Sequence, residues 1–351
     1  MQNRLGVGMA LLCCALSVPA IIAGTGTAGA ADDEPTIAKD SIRVNVKTSS
    51  CSFGERGCAK TTSFLDPTIE FSVNGPIAGG SQLSVEITVP GKPPLKWDCD
   101  TQEIPKGRVL KTACGSNGRE GDRGFAFQGV VYTGPVGFSI VMRNELLQTN
   151  ATLFTGKMKV GKYKPSPTAE TRYYVDEDWR IPVGYLFFDN NSPASLHAVI
   201  WFRGNPGAVK AYLFYQGKQV AKDQGGGSVD ESWNPAKYEW WGIDCHFQDV
   251  LAEDPSALWG PNHPPVHLLS KNPGEYEIKV ISGGHLARSI KFAVGADGSF
   301  DNGIATANKL GSDRVIVPVK FIGDHEGSWD KLAWKTGAFY GNPLTGFSAL
   351  P

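Results

Sequence analysis

Short runs that alternate apolar with polar residues, cut by glycine, proline and asparagine at close spacing, recur along most of this chain and leave it few folds to choose from. Ser41-Ile42-Arg43-Val44-Asn45-Val46 is one such run. Leu83-Ser84-Val85-Glu86-Ile87-Thr88-Val89 is another, and Glu275-Tyr276-Glu277-Ile278-Lys279-Val280 a third. A period of two sets one row of side chains against a core and the other in water, the pattern of antiparallel strands. With 42 glycines and 23 prolines to make turns, antiparallel sandwiches are favoured over parallel sheets with crossover helices. The expected class is all-β, and 351 residues suit two domains, each large enough for its own core.

The two halves share local patterns. Asp98-Cys99-Asp100-Thr101-Gln102-Glu103-Ile104 matches Asp244-Cys245-His246-Phe247-Gln248-Asp249-Val250 at Asp, Cys and Gln. Three further pairs fall in the same order: the run from Ile87 to Lys92 with that from Leu213 to Lys218, Pro135, Phe138 and Ile140 with Pro273, Tyr276 and Ile278, and Lys157-Met158-Lys159-Val160-Gly161 with Lys291-Phe292-Ala293-Val294-Gly295. Collinear matches of this kind imply an internal duplication. The expected organisation is a leader over 1–30, a first β-sandwich over 31–164, a linker over 165–171, a second sandwich over 172–297, and a C-terminal tail over 298–351. The tail carries Trp329, Trp334, Phe339 and Tyr340, an apolar load that calls for packing on the second sandwich or across the junction.

On these patterns the mature chain resembles tandem bacterial immunoglobulin-like or fibronectin-like β-sandwich domains. The resemblance lies at the level of the fold. The Cys-to-Trp-to-Cys core spacing of antibody domains is absent.

The first thirty residues set the expected compartment. Arg4 gives a positive start, 5–23 is apolar, and small residues lead to Ala28-Gly29-Ala30, as in a cleaved export signal. Gly6, Gly8 and Pro19 interrupt the stretch and weigh against a membrane anchor, and Cys13 and Cys14 lack the small preceding residue expected of a lipidated cysteine. The expected product is exported, periplasmic or extracellular, with no membrane span left after cleavage. Its near balance of acidic and basic residues gives no electrostatic case for nucleic acid.

Export allows disulfides among Cys51, Cys58, Cys99, Cys114 and Cys245, and the odd count leaves one over. The first four can pair in three ways. Sequential pairing, Cys51 with Cys58 and Cys99 with Cys114, closes two polar glycine-containing loops and is the expected one. Cys245 reads as a small buried thiol, and His246 beside it would point to the opposite face of a strand, so these two do not make a nucleophile–base pair.

All six histidines lie in the second half. His263 and His267 have the spacing of a helical zinc pair, but Pro264 and Pro265 preclude a regular helix there. The acidic stretch at 297–303 lacks the oxygen spacing of a calcium loop. No metal site and no cofactor is expected, and no GxSxG, P-loop, HExxH or dinucleotide fingerprint occurs.

The second half holds a longer stretch between Lys218 and Asp244, with Trp233, Trp240 and Trp241, followed by a loop with Trp259. Aromatic rings displayed on sandwich loops can stack on sugars. The leading expectation is an exported non-catalytic binding or structural protein whose partner is a protein or glycan of the bacterial envelope. The alternatives are a carbohydrate-binding protein using Trp233, Trp240, Trp241 and Trp259, and a secreted hydrolase with its site between the second sandwich and the tail.

Overall fold

The structure, a computed structural model, describes residues 34–51, 62–115, 132–189, 191, 193–224, 227–228, 238–300, 304, 307–308, 310, 314–323 and 327–346, without the side chains of 46–51, 62–66 and 227–228. The expected leader, Cys58 and Trp233 lie outside the described residues. Strand outweighs helix by 55% to 8%, so the class is all-β. Among the described residues no helix is long and apolar enough to cross a membrane.

The first half forms two sheets. β1 (Thr36–Cys51), β2 (Thr62–Asn74) and β5 (Val109–Cys114) lie in the order β1-β2-β5, while β3 (Ser81–Thr88), β4 (Leu95–Asp98), β6 (Gly134–Asn144) and β7 (Thr149–Tyr163) lie in the order β4-β3-β6-β7. The alternation read from the sequence explains the packing. Ile69, Phe71 and Val73 of β2 and Leu83, Val85 and Ile87 of β3 are buried in one core, and the residues between them are polar. Cys99 follows β4 and is bonded to Cys114 at the end of β5, with Cα atoms 4.4 Å apart, so this disulfide ties one sheet to the other. It closes a loop with a sequence separation of 15, for which chain entropy gives about 3 kcal/mol. Changing both cysteines to alanine is therefore expected to lower the unfolding free energy by about 2–4 kcal/mol, read from the urea midpoint at constant slope.

Arg172 was expected to open the second module. Instead β8 (Arg172–Val175) folds back on β7 as a fifth strand, and 165–171 forms the loop of that hairpin. Tyr173 and Val175 are the reason: they add their side chains to the first core.

The second half holds two further groups of strands. β9 (Val183–Phe188), β10 (Ser195–Arg203) and β14 (Trp240–Leu251) run in the order β9-β10-β14. β11 (Val209–Tyr215), β12 (Lys218–Lys222), β16 (Gly274–Ser282) and β17 (His285–Val294) run in the order β12-β11-β16-β17. β13 (Gly227–Ser228) and β15 (His267–Leu268) both pair with β14. The tail links them. β18 (Val315–Phe321) is hydrogen-bonded to β17 on one side and β9 on the other, so the two groups become one ten-stranded sheet. The sheets of the molecule thus include a near-barrel and a half-barrel where two independent sandwiches were expected.

β9, β10 and β14 are covered on both faces, which accounts for the nearly continuous apolar run from Ala198 to Phe202. Leu186, Ala198, Ile200, Cys245 and Phe247 point into a second core. Tyr185, Val199, Trp201 and Trp240 point the other way, into the core of the first half. Trp334, Phe339 and Tyr340 of the tail join that same core.

A charged knot lies at this junction. Arg180, 1% exposed, sits on a short 3₁₀ turn, Asp178–Arg180. It donates to Glu177 Oε1 at 3.0 Å, to the Tyr340 hydroxyl at 2.8 Å and to the Ile42 carbonyl at 3.3 Å. Its guanidinium lies 4.6 Å from the ring centres of both Trp179 and Trp201. The Tyr340 hydroxyl accepts from the Val44 amide at 3.0 Å and donates to Glu177. Phe339 and Tyr340 both hold left-handed backbones, φ 45° and 56°, which costs about 1–3 kcal/mol for each non-glycine residue and persists only where packing imposes it. Here the packing is the Tyr340 hydroxyl in the knot and the Phe339 ring 5.1 Å from that of Trp179.

Candidate functional site

The three described tryptophans among those singled out from the sequence differ in exposure. Trp240 is buried, and its indole N–H donates to Asp178 Oδ1 at 3.2 Å. Trp241 is its neighbour on β14, so its ring leaves the opposite face, half-buried. Trp259 ends a one-turn helix, Ser256–Trp259, and is 46% exposed beside Leu258 at 60%. Among the described residues it is the one exposed tryptophan.

The loop that carries Trp259 is braced. Asp254 accepts the Ser256 amide at 3.0 Å, the Ser256 hydroxyl, and Lys271 Nζ at 2.7 Å. His263 Nδ1 lies 2.8 Å from the Pro264 carbonyl, to which it donates, and its ring stands edge-on to Trp259, 6.1 Å between centres. His267 belongs to a different neighbourhood, with Nε2 2.8 Å from the Tyr276 hydroxyl. The two histidines do not converge.

A polar cluster that sequence spacing did not reveal lies on β9, β10 and β14. Phe187, His197 and His246 stand directly opposite one another across these three strands, and their rings stack, with centres 5.0 Å apart for the first pair and 4.3 Å for the second. The Arg314 guanidinium covers the outer face of the row, 4.7 Å from the Phe187 ring centre. Asp244, two residues before His246 and so on the same face, holds His197: Nδ1 is 2.9 Å from each carboxylate oxygen.

Asp189 follows β9 and organises the turn into β10. Its carboxylate accepts from the amide and side chain of Asn191 and from the amide and hydroxyl of Ser195, at 2.8–3.2 Å. Oδ2 also lies 3.5 Å from His197 Nε2, and the Ser195 hydroxyl is 2.7 Å from His246 Nε2. One donor atom from each of Asp189, His197 and His246 thus lies within 4.8 Å of the other two.

The charges follow from these contacts. Partial burial opposes ionisation of Asp189, but the hydrogen bonds from Ser195 and Asn191 prevail and hold it down at about 2. Burial also works against a proton on His197, yet the carboxylates of Asp244 and Asp189 raise it above the ordinary imidazole value. For His246, burial and then the neighbouring His197 lower it. Cys245, on the opposite face of β14 and fully buried, has its thiol pushed well above the usual range by burial and by Asp223 and Asp244. It takes no part in the cluster.

Ser195 with His246 has the look of a nucleophile and base, but the rest of that machinery differs. Ser195 is 5% exposed and its hydroxyl donates to Asp189. The carboxylate that orients an imidazole through Nδ1, Asp244, orients His197 and not the histidine that touches the serine. The sequence signal for the cluster was strand alternation at Cys245-His246, which sets His246 on the face opposite Cys245. What it lacked was the pairing that brings His197 and Asp244, 47 residues apart, into contact. No protein-family model matches this chain, and no curated protein is similar to it.

Proposed function

We propose that this chain is an exported, non-catalytic binding protein of the bacterial envelope or exterior, and that its contact surface is the braced loop carrying Leu258 and Trp259. The observation that carries the reading is the isolation of Trp259. Trp97, Trp179, Trp201, Trp240 and Trp334 are all buried, so an indole held in water on a rigid turn leaves apolar surface for a partner to cover. The ties from Asp254 to Ser256 and Lys271 limit the ordering that binding would otherwise require. The buried Ser195 hydroxyl, with no carboxylate bonded to His246 among the described residues, counts against a serine hydrolase.

The immunoglobulin-like or fibronectin-like reading, with an internal duplication, belongs to the same proposal. β1-β2-β5 with β4-β3-β6-β7 and β9-β10-β14 with β12-β11-β16-β17 are the same order drawn twice. Three of the four sequence matches fall on corresponding strands: β3 with β11, β6 with β16, β7 with β17. The DCxxQ match does not, since Cys99 follows β4 whereas Cys245 lies within β14. By strand order the counterpart of β14 is β5, which ends in Cys114. Strand order therefore supports duplication better than the motif that first pointed to it.

The exposed indole favours a glycan over a flat protein surface, because a single ring stacks on one face of a sugar. Tryptophan fluorescence titrated with soluble polysaccharides and cell-wall fragments tests this. Saturable quenching is expected, weakened at least tenfold in Trp259→Ala, a variant whose melting temperature should stay within about 2 °C because the ring is exposed. The same affinity in Trp259→Ala, or no response to any glycan, would remove the glycan reading.

A further inference from the structure

We propose that Asp189, His197 and His246 bind one divalent first-row transition ion, with Asp244 as the outer carboxylate that orients His197. The site is distinct from the Trp259 loop and does not depend on the function proposed for it.

Three observations converge on it. First, the donor set is two imidazoles and one carboxylate, a combination that suits zinc, copper, nickel or iron and leaves positions open for water or a ligand. Second, the spacing fits. An ion about 2.0–2.2 Å from nitrogen and oxygen donors holds neighbouring donors about 3–3.5 Å apart, and Asp189 Oδ2 and His197 Nε2 are 3.5 Å apart.

Third, the outer shell is in place. Metal-bound histidines commonly give the other ring N–H to a carboxylate, which fixes the tautomer and aims the remaining lone pair, and Asp244 takes His197 Nδ1 in this way. His197 Nε2 is then buried without a hydrogen-bond partner among the described residues and lies 3.5 Å from Asp189 Oδ2. With the proton on Nδ1, a lone pair faces a carboxylate oxygen across 3.5 Å: two acceptors opposed, an arrangement that a cation between them turns favourable.

His246 completes the set with some adjustment. Its ring is within 15° of parallel to that of His197, so a shared ion requires one ring to turn about its Cβ–Cγ bond until the two lone pairs converge. The Ser195 hydroxyl donates to Asp189 Oδ2 at 2.9 Å, and His246 Nε2 lies 2.7 Å from its oxygen. The ion takes the place of the Nε2 proton, which passes to Nδ1 or to solvent. Ser195 remains as a hydrogen-bond donor to the bound carboxylate.

The rival account is that His197 is an imidazolium held between Asp189 and Asp244, with no affinity for metal. Calorimetric titration of the chelator-treated, purified chain with Zn²⁺, and separately with Cu²⁺, decides between them. One ion per chain is expected at micromolar affinity or tighter. His197→Gln and His246→Gln should each weaken it at least tenfold, Asp244→Asn about 10–100-fold through the outer shell, and His263→Gln should leave it unchanged. Circular dichroism melts check that each variant folds.

Should a variant not fold, long-range ¹H–¹⁵N spectra of the unaltered protein give the answer alone: Zn²⁺ should move the Nε2 resonances of two histidines and leave the others in place. No binding of either ion by folded protein, binding that His246→Gln does not weaken, or ring resonances that do not move would overturn the proposal.

Discussion

Arg180→Ala is expected to destabilise the protein by about 3–5 kcal/mol, because removing one member of a buried ion pair leaves the other charged, desolvated and unanswered. The partner left behind is Glu177, whose side chain is 14% exposed, together with the Tyr340 hydroxyl. Burial alone would lower the pKa of Arg180, but Glu177 and then Tyr340 and Tyr185 outweigh it and raise the guanidinium above its ordinary value. The charge is therefore held by its neighbours and not merely tolerated.

The stem and guanidinium also lie against Trp179 and Trp201, so packing is lost with the charge. Urea unfolding separates the two contributions. Arg180→Met keeps apolar bulk but strands Glu177, and should remain strongly destabilised. Arg180→Met with Glu177→Gln should recover most of the loss. A loss below about 1 kcal/mol for Arg180→Ala would mean that water reaches Glu177 and that the knot is not a desolvated pair.

Alkaline pH should weaken the fold through the same region. Tyr185 is 2% exposed, and its hydroxyl has no hydrogen-bond partner among the described residues. Burial raises its pKa from 10.0 to about 12, against the opposing pull of Arg180 and Arg43. Tyr340 is raised as well, by burial first and then by Glu177 in spite of Arg180. In the unfolded chain a tyrosine loses its proton near pH 10, whereas in the folded protein Tyr185 keeps it to about 12. Between those values the folded state binds more protons than the unfolded state, so stability falls as pH rises.

The contribution of Tyr185 is fully present below pH 10 and is lost by about pH 12, a change of about 3 kcal/mol from a shift of two units. Urea midpoints at pH 9 and pH 11.5 for the parent and for Tyr185→Phe test this. The parent should lose more stability over the interval than the variant does. Tyr185→Phe also removes a buried hydroxyl without a partner, so at pH 9 it should be no less stable than the parent. Equal losses in the two proteins would place the alkaline sensitivity elsewhere.

Particular residues separate what could be read from the sequence from what could not. Alternation at 41–46, 83–89 and 275–280 marked strands that are strands, and the spacing of Cys99 and Cys114 led to the bond that joins them. Both are local: a period of two in side-chain direction, and the closure of a short loop. Trp240 resisted the same reading. A tryptophan on a polar-looking stretch is a loop aromatic or a core residue depending on what covers it, and its cover is Asp178 and the first half's core.

The candidate metal set resisted it for a related reason. His246 follows from strand alternation as a residue on the face opposite Cys245, while His197 carried no signal of its own. Nothing local says that β10 and β14 are neighbours in a register that sets one imidazole against the other.

The sequence alone determined the class of the fold, the alternating strands at 41–46, 83–89 and 275–280 with the side of each that would be dry, and the loop closed by Cys99 and Cys114, since side-chain period and turn chemistry act over a few residues. Tertiary structure decided the rest. It set β18 between β17 and β9, added β8 to the first half, placed Tyr340 against Arg180, and brought Asp189, His197, Asp244 and His246 to one spot. Alternation fixes which way a side chain points but not which strand lies beside it, and that choice is made by the summed burial of surfaces far apart in the chain.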